Sequence, residues 1–175
     1  MIEEMEIRES RSSDFASIEK LYPEAFPEEE LLPLVRELIG EAATVLSLVG
    51  MVDLSVVGHV MFTTCSIAGT TEKAALLGPL AVAPPWQRQG VGSALIRGGL
   101  QRLKRAGVFQ VYVLGDPAYY ERAGFEPEFD VAPPYPLPEE WRRAWQSLSL
   151  NDAKQPLHGK LCLPQPWRQP ALWAP

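Results

Sequence analysis

The chain has 175 residues, 46% of them hydrophobic, and a formal net charge of −6. That length can bury one full core without demanding a second domain, and an acidic balance without clustered Lys and Arg argues against nucleic acid as a partner. The longest apolar runs, such as residues 42–52, are too short to span a bilayer, and the acidic start MIEEMEIRES lacks the basic region of a secretory signal, so the expectation is a cytoplasmic protein with no membrane partner.

Residues 5–10, MEIRES, alternate as a short strand, and Ser12 or Ser13 can cap a helix that buries Phe15, Ile18, Tyr22 and Ala25. EEELLPLVRELIG predicts a second helix with acids in its first turn, ending at Gly40, with Pro33 as a point of bending. Two β-branched runs, about 44–52 and 57–67, flank DLSV as a hairpin. AALLGPLAVAP reads as a buried strand. Its Gly78 and Pro79 weaken ordinary pairing, so the strand is expected to splay from a neighbour there.

The next helix runs from Val91 to Ala106 and stops at Gly107. Its internal pair Gly98 and Gly99 costs roughly 1 kcal/mol each relative to Ala, a cost that close packing against a sheet would offset. Arg97, Gln101, Lys104 and Arg105 form its solvated face. VFQVYVLG is a further strand, and DPAYYERAGF is a short helix with Asp116 at the N-cap, Pro117 in the first turn and Gly124 at the end. The proline-rich residues 126–140 make a loop long enough to suggest cover over a site. WRRAWQSLSL and HGKLCLP supply two more strands, and the tail PQPWRQPALWAP is expected to run extended over the surface.

The centre of LAVAPPWQRQGVGSALI is QRQGVGSAL, where small residues and free amides open a helix after a strand. A P-loop needs GxxxxGK[ST], and neither the lysine nor the hydroxyl is in place. A dinucleotide fingerprint needs a third glycine where Leu95 stands. What remains is Gln87-x-x-Gly90-x-Gly92, a pattern that lets a diphosphate approach backbone amides at the positive end of a helix.

Together with the strand VYVL and the segment YYERAGF, this stretch resembles the GNAT superfamily of acyl-CoA dependent N-acetyltransferases, whose coenzyme loop reads Gln/Arg-x-x-Gly-x-Gly/Ala. The resemblance is strong over about residues 76–125. VVGHVMF and VLGDPAYYERAGFEP are similar to the YhbS-like branch of predicted acetyltransferases. The resemblance implies a single-domain α/β GNAT fold: a mixed, strongly twisted sheet, splayed beside its fourth strand and flanked by helices. The expected domain covers residues 1–163, with an extended Pro/Trp-rich tail over 164–175 packed on it, where Trp167 and Trp173 are expected to pin the tail. It further implies that Leu80, Ala81 and Val82 offer backbone hydrogen bonds to the pantetheine arm, while Arg88, Gln89, Gly90, Gly92 and Ser93 wrap the diphosphate of acetyl-CoA. No metal is implied.

Acyl transfer from a thioester needs a neutral amine, a polarised carbonyl and a proton for the departing thiolate. By the resemblance, Tyr120 is the proton donor, with Tyr119 as the competing candidate. The fourth-strand glutamate used by some superfamily members has no counterpart in AALLGPLAVAP, which leaves His59, a water relay or no base at all. Carbonyl polarisation falls to a strand amide at Leu80 or Ala81. Cys65 and Cys162 have no CxxC or Cys/His spacing, and Cys65 has no neighbouring base, so packing is the expected role and transfer is expected to be direct. Glu128, Asp130 and Tyr135 are available to meet a cationic amine. The reading is an N-acetyltransferase acting on a small or peptide amine. Its alternatives are a non-catalytic acyl-CoA sensor and a protein-interaction domain built on the Pro/Trp tail.

Overall fold

A computed structural model describes residues 4–151 and 156–175. The fold is mixed α/β, and its contacts gather into two compact units. One holds the residues up to Phe62 together with Gly78–Gln101, and the other holds Thr63–Leu77 together with the chain from Arg102 onward.

The first unit contains β1 (Glu6–Glu9), α1 (Phe15–Ala25), α2 (Leu32–Ile39) and β2 (Val45–Val52), with the first part of β3 (Ser55–Ile67), the second part of β4 (Lys73–Val82) and most of α3 (Val91–Arg105). The strand order is β1-β2-β3-β4, and β1 lies antiparallel on β2 from Glu6↔Met51 to Glu9↔Leu48. Asp53 and Leu54 turn the β2–β3 hairpin with φ of 48° and 66°. Glycines bring α3 onto the strands. A Cβ on Gly58 would lie 2.8 Å from Val91 Cγ1 and 2.9 Å from Leu95 Cδ1, and one on Gly99 would overlap the Phe62 ring. The helix therefore keeps Gly99 despite its low helix propensity, because any side chain there would push Phe62 out of the core.

Two sequence expectations change in this unit. Neither Ser12 nor Ser13 caps the first helix. Asp14 holds the N-cap position without a side-chain bond into the helix; its carboxylate reaches back across the 3-10 turn Ser12–Asp14, accepting from Arg11 N at 2.7 Å and from Arg8 at 2.8 and 3.0 Å. The second helix starts at Leu32, after the acids, so Pro33 occupies the first turn, where a missing N–H leaves no bond broken, and it does not bend the helix.

In the second unit β4 runs parallel to β5 (Gln110–Leu114), which is antiparallel to β8 (Trp145–Ser149), and β8 carries β6 (Glu126–Pro127) on its far side. The β4–β5 register runs from Ala74↔Gln110 to Leu77↔Val113 and ends one residue before Gly78. Val111, Tyr112 and Val113 are all buried, as expected for a strand covered on both faces. The proline-rich stretch is less bare than expected. It contains β6 and β7 (Val131–Ala132), and β7 pairs in parallel with β9 (Gly159–Cys162), which also meets β3 at Ser66↔Cys162.

The C-terminal tail is not extended. It makes 3-10 turns at Gln165–Trp167 and Pro170–Trp173 and drives two indoles into the unit, leaving Trp173 2% exposed. Trp167 Nε1 donates to Thr63 Oγ1 at 2.9 Å, and Trp173 Nε1 donates to the Trp167 carbonyl at 3.0 Å. Buried indoles with satisfied N–H groups make the tail part of this core.

Candidate functional site

Between β4 and α3 the chain makes a 3-10 turn at Pro84–Trp86 and then a loop in which Arg88 has φ 63° and Gly90 φ 88°. Two side chains brace it: Gln87 Nε2 donates to the Val82 carbonyl and Gln89 Nε2 to the Pro85 carbonyl, each at 3.0 Å. Ala94 N donates to Gly90 O at 3.0 Å, so the amides of Val91, Gly92 and Ser93 lie ahead of that bond, in the first turn, without carbonyl partners inside the helix. Positive φ at two nearby residues, followed by a helix N-terminus, is the backbone geometry that gathers N–H groups toward an anion. A Cβ on Gly90 would meet nothing within 4 Å. Its glycine is therefore demanded by the left-handed backbone, and the space before it is open.

Arg88, Gln89, Gly90 and Ser93 are exposed and Gly92 is buried. Leu80 and Val82 are half-buried, and Ala81 is buried against Gly58. These three strand residues lie beyond the point at which the β4–β5 register ends. All eight residues implied for coenzyme binding thus fall in the first unit, on one continuous strand–loop–helix segment. Sequence reasoning named Gln87 only as a motif position. Its amide holds the loop back onto the strand.

Tyr119 and Tyr120 lie in the second unit on α4 (Pro117–Glu121). Asp116 caps this helix, its Oδ1 accepting from Ala118 N at 3.1 Å, with Pro117 behind it as the sequence predicts. The Tyr120 ring stands edge-on to Tyr119 at 5.1 Å and to Phe125 at 5.8 Å. Among the described residues nothing hydrogen-bonds its hydroxyl. Burial, with the nearby Tyr119 and Asp116, pushes the Tyr120 phenol well above its ordinary range, so the group is a neutral proton carrier at physiological pH. Tyr119 is raised too, chiefly by burial. Gly115, which the sequence reading passed over, lies against the Tyr120 ring.

His59 belongs to the core. It is fully buried, with Nδ1 2.7 Å from the Tyr22 hydroxyl and Nε2 2.8 Å from Ser47 Oγ. Burial pushes its pKa down to about 3, against a smaller opposing pull from Asp14, so both nitrogens are engaged in structure and the ring is a poor base. Burial holds the Cys65 thiol well above the usual range, which fits packing and not nucleophilic attack.

Glu128 is likewise committed. Its Oε2 accepts from Asp130 N at 2.8 Å and Val131 N at 2.7 Å, and its Oε1 accepts from Ser147 Oγ at 2.6 Å and Gln110 Nε2 at 3.3 Å. The expectation that it meets a cationic amine gives way to a role in pinning the loop to β8. Asp130 is exposed and 3.7 Å from His158 Nδ1. Among the described residues no three His, Cys, Asp or Glu side chains gather as metal ligands, and no helix is long and apolar enough to cross a membrane.

A mixed sheet with an anion-binding type of loop between β4 and α3 is the framework of an acyl-CoA dependent acyltransferase. The sequence model of the acetyltransferase (GNAT) family matches residues 6–125, and the chain belongs to that family. The uncharacterized N-acetyltransferase YjhQ of Escherichia coli is 35% identical over 167 residues, covering 91% of this chain and 92% of its own length. The structure is similar to that of YhbS from Escherichia coli in complex with CoA, at TM-score 0.84 and 28% identity, covering 94% of this chain and 92% of that one. It is also similar to a GNAT acetyltransferase of Brucella melitensis in complex with acetyl-CoA, at TM-score 0.76 and 30% identity, covering 93% and 97%.

Proposed function

We propose that this acyltransferase moves the acetyl group of acetyl-CoA directly onto an amine, with the coenzyme diphosphate held by the loop at Arg88–Ser93. The observation that carries the reading is the loop itself: positive φ at Arg88 and Gly90, open space before Gly90, and the first-turn amides of α3. The solved structures that are similar at 28% and 30% identity hold CoA or acetyl-CoA, which supports the same ligand here.

The coenzyme supplies an electrophilic thioester carbonyl and a thiolate leaving group. Backbone amides at Leu80 or Ala81 polarise the carbonyl, and β4 residues past the end of the β4–β5 register are the ones with edges to spare for the pantetheine arm. The amine forms the new C–N bond as the C–S bond breaks. Its proton goes to water, since β4 carries no acid and His59 is sequestered. Tyr120 gives its phenolic proton to the departing sulfur, and the phenolate takes a proton back from the water that received the amine's. An acyl-cysteine route finds no support in the half-buried Cys65, whose thiol is held well above its usual range.

The test is calorimetry with acetyl-CoA on the wild type and on Gly90→Glu, followed by a screen of amines for release of free thiol. A strained backbone and an added negative charge should weaken acetyl-CoA at least tenfold in the folded variant. Equal affinity in both proteins refutes the loop assignment. Binding without thiol release from any amine favours the non-catalytic sensor.

A further inference from the structure

The second unit carries a groove of about 490 Å³ on the surface of the proline-rich segment. Its apolar lining includes Phe129, Tyr135, Leu137 and Trp145, with the cation Arg142 between the last two along the chain and Lys160 of β9 contributing a second one. Phe129 is 70% exposed, unusual for so large an apolar side chain, whereas Trp145 is 3% exposed and spends its Nε1–H on the Val131 carbonyl at 2.8 Å, leaving an apolar ring toward the groove. A concave apolar surface of this size with a few polar groups is what a small-molecule site requires.

The charges say what kind of molecule fits. The charged residues of the lining are Glu128, Arg142 and Lys160. The Glu128 carboxylate is saturated by two backbone amides, Ser147 and Gln110, so it has no lone pair to offer a ligand cation in the groove. Arg142 and Lys160 make no ion pair among the described residues. On a chain of net charge −6, the lining of this groove holds two cations against the one anion Glu128, whose lone pairs are turned to its own loop and β8, and the cations stand beside exposed aromatic and aliphatic surface. An anion is favoured there and a cation is opposed.

We propose that the groove binds a small carboxylate with an aromatic or branched aliphatic body, the carboxylate on Arg142 and Lys160 and the body on Phe129, Tyr135 and Leu137. This is the opposite charge preference from the cationic amine that the acids of residues 126–140 suggest in the sequence. Arginine is suited to the role because its planar fork matches a carboxylate.

The probe is phenylacetate, with phenylacetamide, acetate and 2-phenylethylamine as matched controls, followed by ligand-observed NMR on the full chain without coenzyme. Ten non-hydrogen atoms set the expected dissociation constant for phenylacetate at about 1 mM. Phenylacetamide, which lacks the charge, and acetate, which lacks the body, should each bind roughly tenfold or more weakly. The exposed Arg142→Gln/Lys160→Gln double variant and Phe129→Ser should lose a similar factor while keeping the wild-type circular dichroism. Binding of 2-phenylethylamine as tight as phenylacetate, unchanged binding by the double variant, or no saturation up to about 20 mM overturns the proposal. Competition then separates the sources of the ligand. If phenylacetate competes with an amine that the enzyme acetylates, the groove holds the acceptor, and if it binds without competing, the ligand is an effector. Because binding is read without acetyl-CoA, this result stands or falls apart from the coenzyme-loop test.

Discussion

An ideal Cβ built on Gly115 lies 2.5 Å from Cε2 of Tyr120 and 3.2 Å from its Cδ2, so the glycine at the end of β5 and the tyrosine ring of α4 occupy one another's space. The ring cannot retreat freely, because Phe125 stands edge-on to it at 5.8 Å. Gly115→Ala should therefore displace the Tyr120 hydroxyl and lower kcat about tenfold or more, since small misplacements of a reacting group are costly. Affinity for acetyl-CoA should change by about twofold at most, because the loop residues are untouched. Full kcat in a folded Gly115→Ala enzyme would show that turnover does not depend on where this ring sits.

The proton-donor role makes a second, separable prediction. Tyr120→Phe keeps the ring and removes only the proton, so kcat should fall by roughly tenfold or more, given that general acids contribute about 10²- to 10⁴-fold. Tyr119→Phe should do much less. Burial raises the Tyr120 pKa, which means the protonated form persists to higher pH than for a free phenol, and the kcat profile should show no alkaline limb from this group below about pH 10. A limb near neutral pH that vanishes in Tyr120→Phe would contradict the neutral-donor assignment, and the reverse ranking of the two variants would move the role to Tyr119.

Stability should respond to acid through His59. Its folded pKa is depressed to about 3 from an ordinary 6.5, so below 6.5 the unfolded chain takes up a proton that the folded one refuses. The associated stability is complete above pH 6.5 and is lost as pH falls from there toward 3. At pH 5 the loss is about 2 kcal/mol at 1.36 kcal/mol per pH unit. Asp14, held low by Arg8, loses its contribution in the same direction but only below the ordinary carboxylate range. Urea melts at pH 7 and pH 5 should show the difference in the wild type and a smaller one in His59→Gln. An identical pH dependence in both proteins would mean that His59 is not the group titrating.

What the sequence revealed and what it hid divide along the distance between partners. The loop and the α4 cap were legible because their geometry is local: Gly90 sets its own φ, and Asp116 reaches Ala118, two residues on. The short helix that carries Tyr120 was legible through the same local signals, from Asp116 to Gly124. A lone strand histidine such as His59 reads as a hydrogen-bonded structural residue, but its partners were not legible, because Tyr22 lies 37 residues away and Ser47 lies 12 away, on other elements. Likewise nothing near Phe129 announces a cationic groove, since Lys160 reaches it only through the β7–β9 pairing at Ala132↔Lys160. The tail misled for a related reason. Prolines exclude helix and central strand, yet they allow 3-10 turns, and buried tryptophans chose those over an extended course.

Glu128 gives the sharpest test of whether residues 126–140 recognise an amine through their acids. Its partner Val131 is buried at 1% exposure, so removing the carboxylate strands the Val131 amide, while the buried Gln110 loses one of its two bonds and keeps the one to Ser147 Oγ at 3.0 Å. Glu128→Ala should cost about 2–3 kcal/mol and lower Tm by about 5–10 °C. Glu128→Gln keeps the shape but turns one acceptor into a donor, so it should recover part of that loss and no more. With an active amine in hand, the KM for that amine should be unchanged within about twofold in Glu128→Gln at a temperature where both enzymes are folded. Were the carboxylate instead an anchor for a cationic acceptor, KM would rise tenfold or so while Tm stayed at the wild-type value. Paired melting curves and Michaelis plots on the same preparations decide between the two outcomes.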